Sequence, residues 1–216
     1  MEQATIQPSL QGLPTPGEQR WLVRRARLLA WLGIAWHAVE ATVALIAGAA
    51  AGSIALVGFG ADSLVEAFAG SVLVWRFAGR RADSESAEQR AQRLIGLSFF
   101  LIAAYVTVQA LRTLFAAEHP DPSWVGIGLA AVTLIAMPAL AAAKARVGEQ
   151  LGSSATKSEG RQNLLCAYLS AGLLVGLTAN ALLGWWWADP GAALLIAGVA
   201  LREGREAWHG EACDAC

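Results

Sequence analysis

Apolar runs of about 20 residues follow one another along this chain, each long enough to cross about 30 Å of hydrocarbon as a helix. They occupy residues 28–51, 54–75, 94–113 and 124–143. From Leu164 to Leu201 the only charge is Asp189, and the turn signal Ala188-Asp189-Pro190-Gly191 divides that stretch into two more spans, over 160–184 and 187–205. Hydrophobic residues make up 56 % of the 216 and charged residues 15 %, against roughly 25 % charged in soluble domains. The expected fold is an all-α integral membrane protein, a bundle of six transmembrane helices, with Pro138 kinking the fourth.

The bases orient the spans. Lys and Arg collect in cytoplasmic loops. Here Arg20, Arg24, Arg25 and Arg27 precede the first span, Arg76, Arg80, Arg81, Arg90 and Arg93 separate the second from the third, Lys144, Arg146, Lys157 and Arg161 the fourth from the fifth, and Arg202 and Arg205 close the sixth. With six crossings, fifteen of the sixteen bases fall on one side and only Arg112 on the other, which puts both termini in the cytoplasm. The chain then divides into a flexible N-terminal tail over 1–20, a membrane domain over 21–207 and a short stub over 208–216. The start, with Pro8, Pro14 and Pro16 and no basic-then-apolar pattern, is not a secretory signal. A net charge of −1 excludes a nucleic-acid binder, and three Cys, two of them near the C-terminus, make no disulfide scaffold. The partner is a lipid bilayer, and the expected location is the cell membrane.

Three acids stand where hydropathy places the bilayer interior: Glu40 in the first span, Asp62 and Glu66 in the second. Each costs roughly 2.5–3.5 kcal/mol on insertion scales when ionised at mid-membrane. Apart from Arg161, Arg202 and Arg205 at the basic ends of their spans, the only base in an apolar span is Arg112, near the opposite end, and one cation cannot pair three acids. The acids are therefore either protonated and hydrogen-bonded to neighbouring helices, or matched by a cation absent from the sequence. Asp62 and Glu66, at i and i+4, share a helix face with Cβ atoms about 5–6 Å apart. Two carboxylates so close cannot both ionise cheaply unless a divalent ion joins them, and such an ion displaces protons as it binds.

The fifth span offers a facing set. If its helix begins before Glu159, then Glu159, Gln162 or Asn163, Cys166 and Ser170 fall on one stripe. Against ligation, Glu159 reads equally as a solvated loop acid and Cys166 as a small core residue. His37 and Glu40 share a face of the first span, as a proton relay, an extension of the site, or a structural hydrogen bond. His209, Cys213 and Cys216 form a His-x3-Cys-x2-Cys cluster that can capture metal from the cytosol or consist of solvated thiols.

The run Gly52-Ser-Ile-Ala-Leu-Val-Gly-Phe-Gly-Ala-Asp-Ser-Leu-Val-Glu66 resembles the second transmembrane helix of the cation diffusion facilitator family. Leu165-Cys-Ala-Tyr-Leu-Ser170 and Asn180-Ala-Leu-Leu-Gly-Trp-Trp-Trp-Ala-Asp-Pro190 are similar to helices five and six of its small bacterial members. The likeness runs from about Trp31 to Gly204. It implies proton-coupled export of a divalent metal ion by a homodimer, from a near-tetrahedral site built by helices two and five. Asp62 and Glu66 match the helix-two pair. On helix five the family pattern of His or Asp, three residues, then Asp falls on Gln162 and Cys166, which both depart from it, and Glu159 matches an acid often found one turn earlier. Typical members continue into a cytosolic domain after helix six, where only Glu203 to Cys216 stand here.

The functional expectation is efflux of a divalent cation in exchange for protons by alternating access. Carboxylate with thiolate favours Zn2+ or Cd2+ over Mn2+, with Fe2+ and Co2+ also in the set. The alternative is a membrane metal sensor or partner protein of the same fold that does not transport. An enzyme is not expected: a serine intramembrane protease needs a His beside an activated Ser, yet His37 is the only His within a span and no Gly-x-Ser-Gly occurs.

Overall fold

The computed structural model describes residues 16–77 and 85–209. The first fifteen residues of the expected tail, together with Cys213 and Cys216, lie outside them. Among the described residues there are six α-helices and no strand: α1 (Pro16–Ala51), α2 (Ile54–Phe77), α3 (Glu85–Ala116), α4 (Trp124–Leu151), α5 (Ser154–Leu183) and α6 (Ala188–His209). Pro16, read from sequence as part of the tail, is the first residue of α1, where its fixed φ suits a helix start.

Two of the turns are built alike. Gly52 and Gly152 both take positive φ, near 65° and 63°, a conformation that glycine adopts without strain. The next residue caps the following helix: Ser53 Oγ accepts from the Leu56 N–H and Ser153 Oγ from the Thr156 N–H. A Gly-Ser pair thus ends α1 and starts α2, then ends α4 and starts α5, which leaves each helix pair antiparallel and tightly joined.

The base-free turns gather at one end of the bundle. The Asp121 N–H donates to the Ala51 carbonyl at 2.9 Å, Asn180 Nδ2 to the Pro120 carbonyl at 2.9 Å, and His119 packs edge-on against Trp186. Fully buried Asp189, at the start of α6, accepts from Ser53 Oγ and from the Ile54 and Ala55 N–H groups at 3.0 and 3.3 Å, so a carboxylate sits at the N-terminus of α2. At the opposite end Gly96 of α3 lies against the Gly204 carbonyl of α6.

The bundle presents apolar side chains outward and several acids inward. Ile135 is 77 % exposed and Val175 70 %, while Glu40 is wholly buried. That inversion belongs to a protein surrounded by lipid. Helices α1, α3, α4 and α5 contain segments long and apolar enough to cross a membrane (Gly17–Ala51, Gly96–Ala116, Trp124–Leu151 and Glu159–Leu183). Close packing of α1 on α2 depends on Gly60, where a Cβ would stand 2.9 Å from the Leu45 side chain. One and nearly two turns on along α2, the same approach brings Ser63 and then Glu66 against Glu40 and His37 of α1.

Candidate metal centre

The buried polar groups meet where α1, α2, α4 and α5 come together. His37 and Glu40, three residues apart on α1, face the same way. Glu66 from α2 and Cys166 from α5 join them, and one potential ligand atom from each of the four lies within 4.8 Å of the others. All four side chains are buried.

Glu40 is the hub. Its Oε1 accepts from Thr133 Oγ1 of α4, and its Oε2 from Ser63 Oγ of α2 at 2.9 Å and from His37 Nδ1 at 3.2 Å. Cys166 Sγ stands 3.7 Å from the same oxygen. One carboxylate therefore ties α1 to three other helices.

His37 is held at both ring nitrogens. Asn163 Nδ2 of α5 donates to His37 Nε2 at 3.2 Å and stands 3.1 Å from Met137 Sδ. A ring nitrogen that accepts carries no hydrogen, so in neutral imidazole the hydrogen is on Nδ1. Nδ1 also lies 3.1 Å from Glu66 Oε2. Its single hydrogen goes to Glu40, and Glu66 Oε2 is left buried without a hydrogen bond, as is Asn163 Oδ1. Buried oxygens without partners are rare and call for an explanation. Two carboxyl groups and a thiol converge here on one imidazole, and in their deprotonated forms carboxylate, imidazole and thiolate are donors that zinc accepts.

The residues singled out from sequence separate into two groups. Glu66 and Cys166 lie in the cluster, and so do His37 and Glu40. Asp62, one turn before Glu66, is buried but lies outside the group of four. Glu159 Oε2 sits 3.2 Å from Lys144 Nζ of α4, in a pair whose lysine is buried against the backbone of Gly33. Gln162 is half-buried, and its neighbour Asn163 is the residue that meets His37. Ser170 Oγ donates to the Cys166 carbonyl at 2.7 Å, which leaves it a helix-backbone role. His209 ends α6, and its proposed companions Cys213 and Cys216 lie outside the described residues.

Ser63 and Thr133 were not singled out from sequence. Each left a signal: Ser63 stands three residues before Glu66 and shares its face, and Thr133 is the one hydroxyl in the apolar run 124–143.

The family model of the cation efflux transmembrane domain matches residues 30–208. No match to the chain is found among curated proteins.

Proposed function

The chain belongs to the cation efflux family, whose members are transporters and not enzymes, and from that premise we propose that it exports a divalent metal ion, zinc foremost, in exchange for protons. The observation that carries this reading is the buried group of His37, Glu40, Glu66 and Cys166, with ligand atoms within 4.8 Å of one another and a Glu66 oxygen without a partner. An imidazole and a thiol beside carboxylates favour a borderline ion over magnesium or manganese.

In this reading all six helices cross the membrane and both termini face the cytoplasm, supported by the gathering of the base-free turns at one end of the bundle. The protein is a homodimer in the cell membrane. Metal entering from the cytosol displaces protons from the cluster and is released outside, and protons take its place for the return. Asp62, buried one turn before Glu66, is a third carboxylate on the ion's route.

The test is zinc movement in vesicles. Purified protein reconstituted under an imposed pH gradient should move zinc, and Glu66→Ala should abolish the movement. Equal flux with and without Glu66 overturns the assignment. Binding without flux in the wild-type chain selects the sensor reading instead.

A further inference from the structure

The donors around His37 are not equivalent. Glu40 accepts at both oxygens, from Thr133, Ser63 and His37, so it is already satisfied by the protein. Glu66 Oε2, 3.1 Å from His37 Nδ1, accepts nothing. The open coordination direction therefore lies on the Nδ1 side of the ring, between Glu66 and Cys166. On the Nε2 side stands Asn163, 1 % exposed, its amide nitrogen donating to the ring and its Oδ1 without a partner.

Resting on the transport reading above, we propose that Asn163 is the positioning residue of the cation site: its amide holds His37 by Nε2 so that Nδ1 is the ring nitrogen presented to the ion. A metal bound at Nδ1 takes the place of the hydrogen given to Glu40, whose Oε2 still accepts from Ser63, and leaves the hydrogen of the neutral imidazole on Nε2, which then has to donate. Metal-bound histidines characteristically pass that second N–H to an oxygen acceptor, which fixes the ring and raises its basicity. The Asn163 amide serves in both situations. In the arrangement seen here Nδ2 donates to a bare Nε2. Turned over about its last torsion, it places Oδ1 to accept from Nε2–H. Oδ1 has no partner to lose, so the turn exchanges the bond from Nδ2 to Nε2 for one from Nε2–H to Oδ1 and gives up the contact of Nδ2 with the soft sulfur of Met137. A leucine of similar size offers neither function. An aspartate offers the acceptor alone.

The experiment is a zinc titration of the full-length protein in detergent, with 15N-labelled histidine and with Cys213→Ser and Cys216→Ser to remove the tail thiols. His37 is one of three histidines, and its signals are assigned by their loss in His37→Ala. Without zinc the hydrogen is expected on Nδ1; with zinc it is expected on Nε2, with the Nδ1 resonance showing metal coordination. Asn163→Leu should weaken zinc binding about 10–100-fold, the range for outer-shell partners of metal-bound histidine, at an unchanged unfolding temperature. Asn163→Asp should bind at least as tightly as wild type. Zinc coordinated at Nε2, or Asn163→Leu binding as wild type does, overturns the proposal while leaving transport standing. A wild-type chain that neither binds nor moves zinc overturns the transport reading and this one with it. The wild-type spectra decide the matter even if the leucine variant does not fold.

Discussion

His37 Nδ1 lies 3.1 Å from Glu66 Oε2 and gives it no hydrogen bond, because its one hydrogen is directed to Glu40. In the proposed transport function, this buried and unsatisfied carboxylate oxygen is the one that meets the cation. Glu66→Gln keeps the shape and removes that charge. It should retain the fold and lose at least about 100-fold in zinc affinity, beyond the range expected for a residue that only supports a ligand. Isothermal titration on the two proteins decides this.

The donors of the cluster bind metal in their deprotonated forms, so protons and metal compete. Lowering the pH loads protons onto the donors and should weaken zinc binding; raising it should strengthen binding. Zinc added to a weakly buffered solution of the protein should release protons, read with a pH dye, and Glu66→Gln should release fewer. Affinity independent of pH would contradict the exchange of metal for protons.

Buried Lys144 and partly exposed Glu159 form an ion pair across α4 and α5, beside Gly33 of α1. Removing one partner of a fully buried pair costs about 3–5 kcal/mol, whereas replacing both with apolar residues is close to neutral. Because Glu159 still reaches solvent, Lys144→Met should lower stability by less than that, and Lys144→Met with Glu159→Leu should recover most of the loss. Denaturant unfolding in detergent measures both.

Asp189 joins the starts of α6 and α2 through Ser53 Oγ and the Ile54 and Ala55 N–H groups. Asp189→Ala strands those donors in a buried position and should cost about 1–3 kcal/mol. A lowered unfolding temperature checks it, with Asp189→Asn falling between the two because its one amide oxygen still accepts.

Much of this was legible in the sequence, and the part that was not has a physical reason. The apolar runs gave the helices, and the Gly-Ala-Asp-Ser-Leu-Val-Glu66 spacing placed acids on a common face of α2, because a helix's own periodicity decides which residues share a side. Periodicity does not say which neighbour that side meets. Asp62 and Glu66 share a face, yet only Glu66 joins His37, Glu40 and Cys166. On α5 the family pattern selected Gln162, whereas the rotation of the helix turns Asn163 toward α1, a difference of one residue, or about 100°. The partnership of Glu159 with Lys144 depends on the packing of α4 on α5 at Gly160, whose missing side chain lets the Ala141 carbonyl approach. No single helix encodes that contact.

A metal ion held among Glu66, His37 and Cys166 would show its neighbours in X-ray absorption at the zinc edge. The protein should carry Cys213→Ser and Cys216→Ser, so that Cys166 is the only thiol left. The expected spectrum has one sulfur at about 2.3 Å and lighter donors, imidazole nitrogen among them, at about 2.0–2.2 Å, with the sulfur lost in Cys166→Ser. Bound zinc with oxygen neighbours alone, unchanged by that substitution, would place the ion elsewhere and rule out this site.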